Sequence, residues 1–297
     1  MNKHGHIALG VALGSAYLWS QGLPHTWQDW VGSMVALSFV AVGSLSPDLD
    51  HKTSTASKVF TPFSAKTRRT LKHLSTMSLG IGVFLLVLKL FLLYAHVIPS
   101  LEWTKNGVIA LQSSIPDELL KSYPLWLAAA ILLRVLAILR DLILIGAGAA
   151  LLNAYAIYQL SWFWAFVGVA LFIIPLVRHR GVIHTPEFAV CLTIGIESVV
   201  WSQPWYIQVI GQGLAIGWWA HLIGDIFGSE GIESIFSRFV PWLKWLKVAL
   251  HLFKNGGKAE KFIIRLSWST TALILCIMML QITPTEMYQS VCKILSI

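Results

Sequence analysis

Long apolar runs separated by short polar stretches dominate the chain and predict helices over 7–21, 30–46, 74–98, 125–139, 141–158, 160–177, 186–203, 205–223 and 262–282. Several of these fall short of the roughly 20 residues needed to cross the hydrocarbon core of a bilayer. Between 125 and 177 the pattern reads as three short helices or as two long ones, because Arg140-Asp141 interrupts it and Asn153 to Gln159 fits either helix or turn. The segment 232–254 differs from the rest. It alternates Ile235, Phe236, Phe239, Trp242, Leu243 and Leu246 with Arg238, Lys244, Lys247 and Lys254, which predicts a basic amphipathic helix lying in the membrane interface.

Composition moves this picture from a helical core to a membrane. Hydrophobic residues make up 56% of the 297 positions, charged residues only 12%, and the mean hydropathy is +0.69. The fold class expected is therefore all-α: a polytopic helical membrane protein of about seven to nine short transmembrane helices plus the interfacial helix. No phosphate-binding loop, nucleotide fingerprint, repeat or long polar linker divides the chain, so residues 1–297 read as one membrane-embedded domain. The run Ile7 to Trp19 after Lys3 imitates a signal peptide, but cleavage near Gly14-Ser15-Ala16 would discard His4 and His6, and a retained helix is expected. Cys191, Cys276 and Cys292 stand apart in apolar contexts and read as core packing.

Four short polar clusters end these apolar stretches: His4-Gly5-His6, Pro47-Asp48-Leu49-Asp50-His51, His179 to Thr185, and His221-Leu222-Ile223-Gly224-Asp225. Imidazoles and carboxylates are costly to desolvate at a membrane edge unless they pair or bind something, so their gathering points to a metal site. His221 and Asp225 are four apart on one helical face. Asp48 and Asp50 follow Pro47 just past a helix end, and His179 and His184 flank Gly181 beside Arg178 and Arg180. Taken singly, each cluster also fits an ordinary capped turn, helix-end hydrogen bond or basic loop.

Parity joins them. His6 precedes the first helix and Asp48 follows the second, so they share a membrane face, as do His184 and His221 around the pair 186–203 and 205–223. One common face requires an even number of crossings between His51 and His179, which helix 74–98 plus three short helices supplies. The charges agree. Sixteen of the 22 Lys and Arg lie on the motif side: Lys3, six between Lys52 and Lys72, Arg178, Arg180, and seven between Arg238 and Arg265. The positive-inside bias makes that face cytoplasmic. Topology thus explains the net charge of +8, the anionic leaflet is the partner expected for it, and no nucleic acid is implied.

Gly5-His6-x-x-x-Gly10, Pro47-Asp48-x-Asp50-His51, His179-Arg180-Gly181-x-x-His184-Thr185 and His221-x-x-x-Asp225 together resemble the ordered motifs of the bacterial membrane-bound metal-dependent hydrolases of the YdjM type, also described as LexA-binding and inner-membrane-associated. The resemblance covers roughly 4–75 and 178–235 and leaves about 76–177 as an inserted helical region. It implies a multi-pass protein of the bacterial inner membrane, with His6, Asp48, Asp50, His51, His179, His184, His221 and Asp225 as the functional positions. Thr185 stands where Ser is common, and the stretch between the second and third motifs is long.

Five His and three Asp form a mixed nitrogen and oxygen donor set that fits zinc or manganese and exceeds what one tetrahedral ion requires, so two ions are expected. Asp50 is the candidate general base, or Asp48 if Asp50 bridges, with Glu187 and Glu230 as weaker candidates. Arg178 and Arg180 would hold an anionic group of the substrate. The function expected is metal-dependent hydrolysis of a phosphate ester in a membrane lipid or lipid-linked head group, entered from the cytoplasmic leaflet. The alternatives are a metal-dependent lipid amidase, or a non-enzymatic metal carrier or partner of a soluble regulatory protein. Transport is disfavoured because only Lys89 and Arg134 lie well inside candidate spans.

Overall fold

A computed structural model describes residues 1–50, 63–94, 110, 113–176, 182–228, 231–240, 242 and 247–295. Apart from a lone antiparallel bridge between Ile232 and Val248, every regular element among them is helical. Among the described residues, five stretches are long and apolar enough to cross a membrane: Trp27–Asp48, Lys66–Tyr94, Asp117–Ala137, Leu139–Tyr158 and Lys258–Met279. This is fewer than the seven to nine expected. Two predicted spans prove to be helices of 12 and 15 residues, below the roughly 20 that a crossing needs.

The chain divides into two compact units, one of residues 1–60 and 144–297 and one of residues 61–143. In the second, α3 (Ala65–Tyr94) packs on α5 (Tyr123–Ala137), which follows the short α4 (Asp117–Lys121). Ser75 donates to the Ala130 carbonyl at 2.8 Å, and Lys89 lies 5.1 Å over the Tyr123 ring, so these two polar groups of α3 have partners. The region 125–177 resolves into three helices: α5, α6 (Leu139–Tyr158) and α7 (Trp162–Ile173). The break between the first two falls at Ile138, and Arg140, 2% exposed, pairs with Asp141 at 2.7 Å at the start of α6.

The first unit holds α1 (Lys3–Gln21), α2 (Trp27–Gly43), α8 (Pro186–Val200), α9 (Trp205–Phe227) and α11 (Lys258–Met279). The α2–α9 pairing positions everything that follows. Gly213, Gly217, His221 and Asp225 recur every fourth residue and form one stripe of α9. A Cβ on Gly217 would strike the Val40 carbonyl, one on Gly43 the Leu214 carbonyl, and one on Gly213 would lie 2.5 Å from the Ala36 carbonyl. The two backbones therefore approach through glycines, as in small-residue helix pairs of membranes. Gly217→Val should force these helices apart and lower stability by about 1–3 kcal/mol. An unchanged melting temperature would show that the contact is slack.

Two expectations are corrected here. The segment 232–254 is not one amphipathic helix, since its described residues form only the short α10 (Phe236–Phe239) and an extended stretch. In that stretch Leu250 and Leu252 donate to the Ile226 and Phe227 carbonyls at the end of α9, so its backbone satisfies the helix terminus. Cys191, Cys276 and Cys292 are exposed, not core. Against lipid, an apolar residue carries no signal of which face it occupies. A terminal helix, α12 (Pro284–Leu295), goes beyond the predicted elements, although Thr283 and Glu286 cap it reciprocally at 2.8 and 3.2 Å, a pairing legible as Thr-x-x-Glu.

Candidate metal centre

Four elements of the first unit deliver one side chain set each. His6 sits in the first turns of α1, whose start is capped by the Asn2 side chain accepting from the Gly5 amide at 2.8 Å. Glu260 of α11, fully buried, accepts from the Asn2 amide at 2.6 Å and from the Gly256 amide, which anchors that end of α1. Asp48 lies on a 3₁₀ turn (Ser46–Asp50) that continues α2. His184 ends a second 3₁₀ turn (Val182–His184), and Thr185 then caps α8 by accepting from the Phe188 amide at 3.2 Å while donating to the Val182 carbonyl at 2.8 Å. A serine would make the same cap, so Thr185 preserves the local geometry. His221 and Asp225 close the glycine stripe of α9.

Their side chains converge. The ligating atoms of His6, His221 and Asp225 lie within 4.8 Å of one another, as do those of Asp48, His184 and His221. His6 and His221 stack with centroids 3.8 Å apart, and His184 meets His221 edge-on at 5.3 Å. His6 Nε2 is 3.5 Å from Asp225 Oδ1, and His184 Nε2 is 3.7 Å from Asp48 Oδ1. His6, His184, His221 and Asp225 are all buried, whereas the Asp48 side chain remains 27% exposed. Gly224 admits His6, since a Cβ there would lie 3.0 Å from His6 Nδ1. Gly10 in turn lets α1 approach Ser44.

His221 is oriented from below. Its Nδ1 bonds the Ser44 backbone carbonyl at 2.7 Å, so Nδ1 carries the proton and Nε2 presents a lone pair. That Nε2 is buried, makes no hydrogen bond, and stands 3.5 Å from Asp225 Oδ2 and 3.9 Å from Asp48 Oδ1. Such separations exceed the 2.7–3.2 Å of ordinary N–H···O bonds. They match donors around one ion, since ligands at about 2.1 Å in tetrahedral geometry lie about 3.4 Å apart. The residues present thus fit a divalent metal.

The other anticipated positions are not seen in this cluster among the described residues. Arg178, His179, Arg180, His51, Glu230 and His96 lie outside the described residues, as does the side chain of Asp50. Glu187 is not free to act as a base, because it accepts from the Ser234 hydroxyl and, at 3.1 Å, from the Ile235 amide, which ties the segment after α9 to α8. His4, His25, His73 and His251 are exposed and take no part in the cluster. Ser44, Gly10 and Glu260 were missed by the sequence reading. Gly10 sat within a recognised motif, but a backbone acceptor such as Ser44 leaves no residue-type signal.

The fold and cluster define a helical membrane protein with a buried His/Asp donor set gathered from four distant segments. The chain belongs to the YdjM inner membrane protein family, whose model matches residues 1–288. Comparison with curated proteins and with solved structures gave no match.

Proposed function

We propose that the protein is a metal-dependent hydrolase acting on a phosphate ester of a membrane lipid or lipid-linked head group at the cytoplasmic face. The observation that carries this reading is His221 Nε2: buried, held in one tautomer by the Ser44 carbonyl, and spaced from two carboxylates as a ligand would be. A purely structural imidazole in a buried cluster would close its hydrogen bonds. Because His221 offers one free nitrogen, the described donors seat one ion; a second rests on Asp50, His51 and His179. Zinc or manganese suits these donors.

A divalent ion held there supplies Lewis-acid activation of water and neutralises charge developing on a phosphoryl oxygen. His6, His184, His221 and Asp225 would hold and orient it together with Asp48, the least buried of the five. Asp50 would take a proton from attacking water, or Asp48 would if Asp50 bridges. Arg178 and Arg180 follow α7 in sequence, within a few residues of His184, and would grip the phosphate.

The test is release of phosphate or phosphorylated head group from lipid mixtures, with and without chelator. Chelator-sensitive release is expected. Release that ignores chelator, or none from any lipid at full metal content, overturns the reading and favours the amidase or a non-enzymatic role. The cytoplasmic orientation has its own check: single cysteines at positions 58 and 105 should label from opposite sides of the membrane.

A further inference from the structure

An apolar cavity of about 450 Å³ lies beside the metal centre, bounded by α7, α8 and α9 of the same unit. Phe163, Val167 and Leu171 line one wall and Leu192, Ile196 and Leu214 the others. Phe166, Phe188 and Trp218 form a continuous aromatic wall, with ring centroids 4.9 and 5.3 Å apart. This size falls within the range of small-molecule sites, about 300–1,000 Å³.

Three features tie the cavity to the chemistry. Ser46 lines it two residues before Asp48, and Ile183 lines it next to His184. Trp218, also in the lining, precedes His221 by one turn of α9 and so shares its side of the helix. The Trp218 indole Nε1–H is buried and has no hydrogen-bond partner among the described residues. Indole nitrogen only donates, and a buried donor without an acceptor is a cost that native structures rarely leave standing.

We infer that this cavity receives an acyl chain of the lipid substrate and that Trp218 Nε1–H donates to the ester carbonyl at the head of that chain. That the lipid is a substrate rests on the proposed hydrolase activity, but the chain site itself does not depend on turnover. An aliphatic chain satisfies the nonpolar walls. An ester carbonyl supplies the acceptor that the Trp218 indole lacks, one turn of α9 from His221. A polyprenyl chain offers no acceptor before its phosphate, so the orphan donor favours an acylglycerol.

The test uses the full chain stripped of metal with chelator, in detergent micelles, with phosphatidylglycerol bearing a terminal diazirine on one acyl chain. Photolysis and peptide mapping should concentrate label on 163–171 and 207–218. Val167→Trp, which fills the cavity, should reduce that label about tenfold while leaving label on the exposed face around Val135 unchanged. Trp218→Phe keeps the wall and removes the donor, so it should weaken capture of the ester lipid more than that of an ether-linked analogue. On the wild type, long-chain competitors should displace the probe better than short-chain ones, a comparison independent of any variant's folding. Label spread evenly over outer helical faces, indifference to Val167→Trp and chain length, or stronger displacement by polyprenyl phosphate would overturn the inference. Capture without head-group release at any metal loading would sink the hydrolase reading and leave the chain site standing. Release without cavity labelling would do the reverse.

Discussion

His221→Ala is expected to abolish stoichiometric metal binding, with affinity falling more than about 100-fold, beyond the loss typical of a supporting residue. Among the described residues His221 is the one donor shared by both ligand groups, and its Nε2 is fixed by the Ser44 bond before any ion arrives. The same substitution should destabilise the metal-free protein by about 1–3 kcal/mol, because it leaves the buried Ser44 carbonyl without a donor and removes the ring stacked on His6. A sequence view of these histidines as groups at a helix edge predicts metal loss with no cost to the fold. The burial of His221 changes that for this residue. His184 sits on a 3₁₀ turn whose shape is held by Thr185, so His184→Ala should lose metal with a smaller stability cost. Metal analysis paired with melting curves on chelated and metal-loaded protein checks both. Normal metal content in His221→Ala would make the cluster structural.

The second large effect is on turnover. Asp50→Asn should retain the fold and much of the bound metal, since the amide keeps the shape and one oxygen donor, yet lower head-group release by about 10²–10⁴-fold if Asp50 takes the proton from attacking water. Asp48→Asn should behave differently, lowering metal content as well as turnover, because Asp48 Oδ1 already stands among the donors 3.7 Å from His184 and 3.9 Å from His221. Arg180→Lys keeps the charge but loses the planar fork, and should weaken phosphate esters while leaving neutral amides nearly unaffected. Release rates and metal content measured side by side on these variants separate base, ligand and anion grip. Equal metal loss in both Asp variants would assign Asp50 to the ligand set and not to proton transfer.

The order and spacing of the His and Asp motifs pointed to His6, Asp48, His184, His221 and Asp225 as one set, and the structure gathers these five, although only three described helices between His51 and His179 are long enough to cross, where the parity argument counted four. Within 125–177 the interruption at Arg140-Asp141 was legible, since these groups cannot sit unpaired in a continuous apolar helix, whereas the choice between three short helices and two long ones was left to the structure. Periodicity failed where lipid replaces water. A helix that is apolar all round gives no contrast between its buried and lipid-facing sides, so the exposed cysteines were misassigned. The segment 232–254 has an amphipathic pattern, but pairing with the end of α9 overrides it, because backbone groups left open at a helix terminus recruit the nearest extended chain.

Sequence alone therefore determined the membrane class and the family motifs that hold the five clustered side chains. These follow from residue chemistry and from the order and spacing of the motifs. Tertiary structure decided which nitrogen of His221 is free, because a backbone carbonyl at the end of α2 sets the tautomer. It also decided that this carbonyl reaches the ring at all, because Gly43, Gly213 and Gly217 let two helix backbones touch. Neither the direction of a carbonyl nor the distance between two helix axes is written in any single residue. Both arise only when the helices pack.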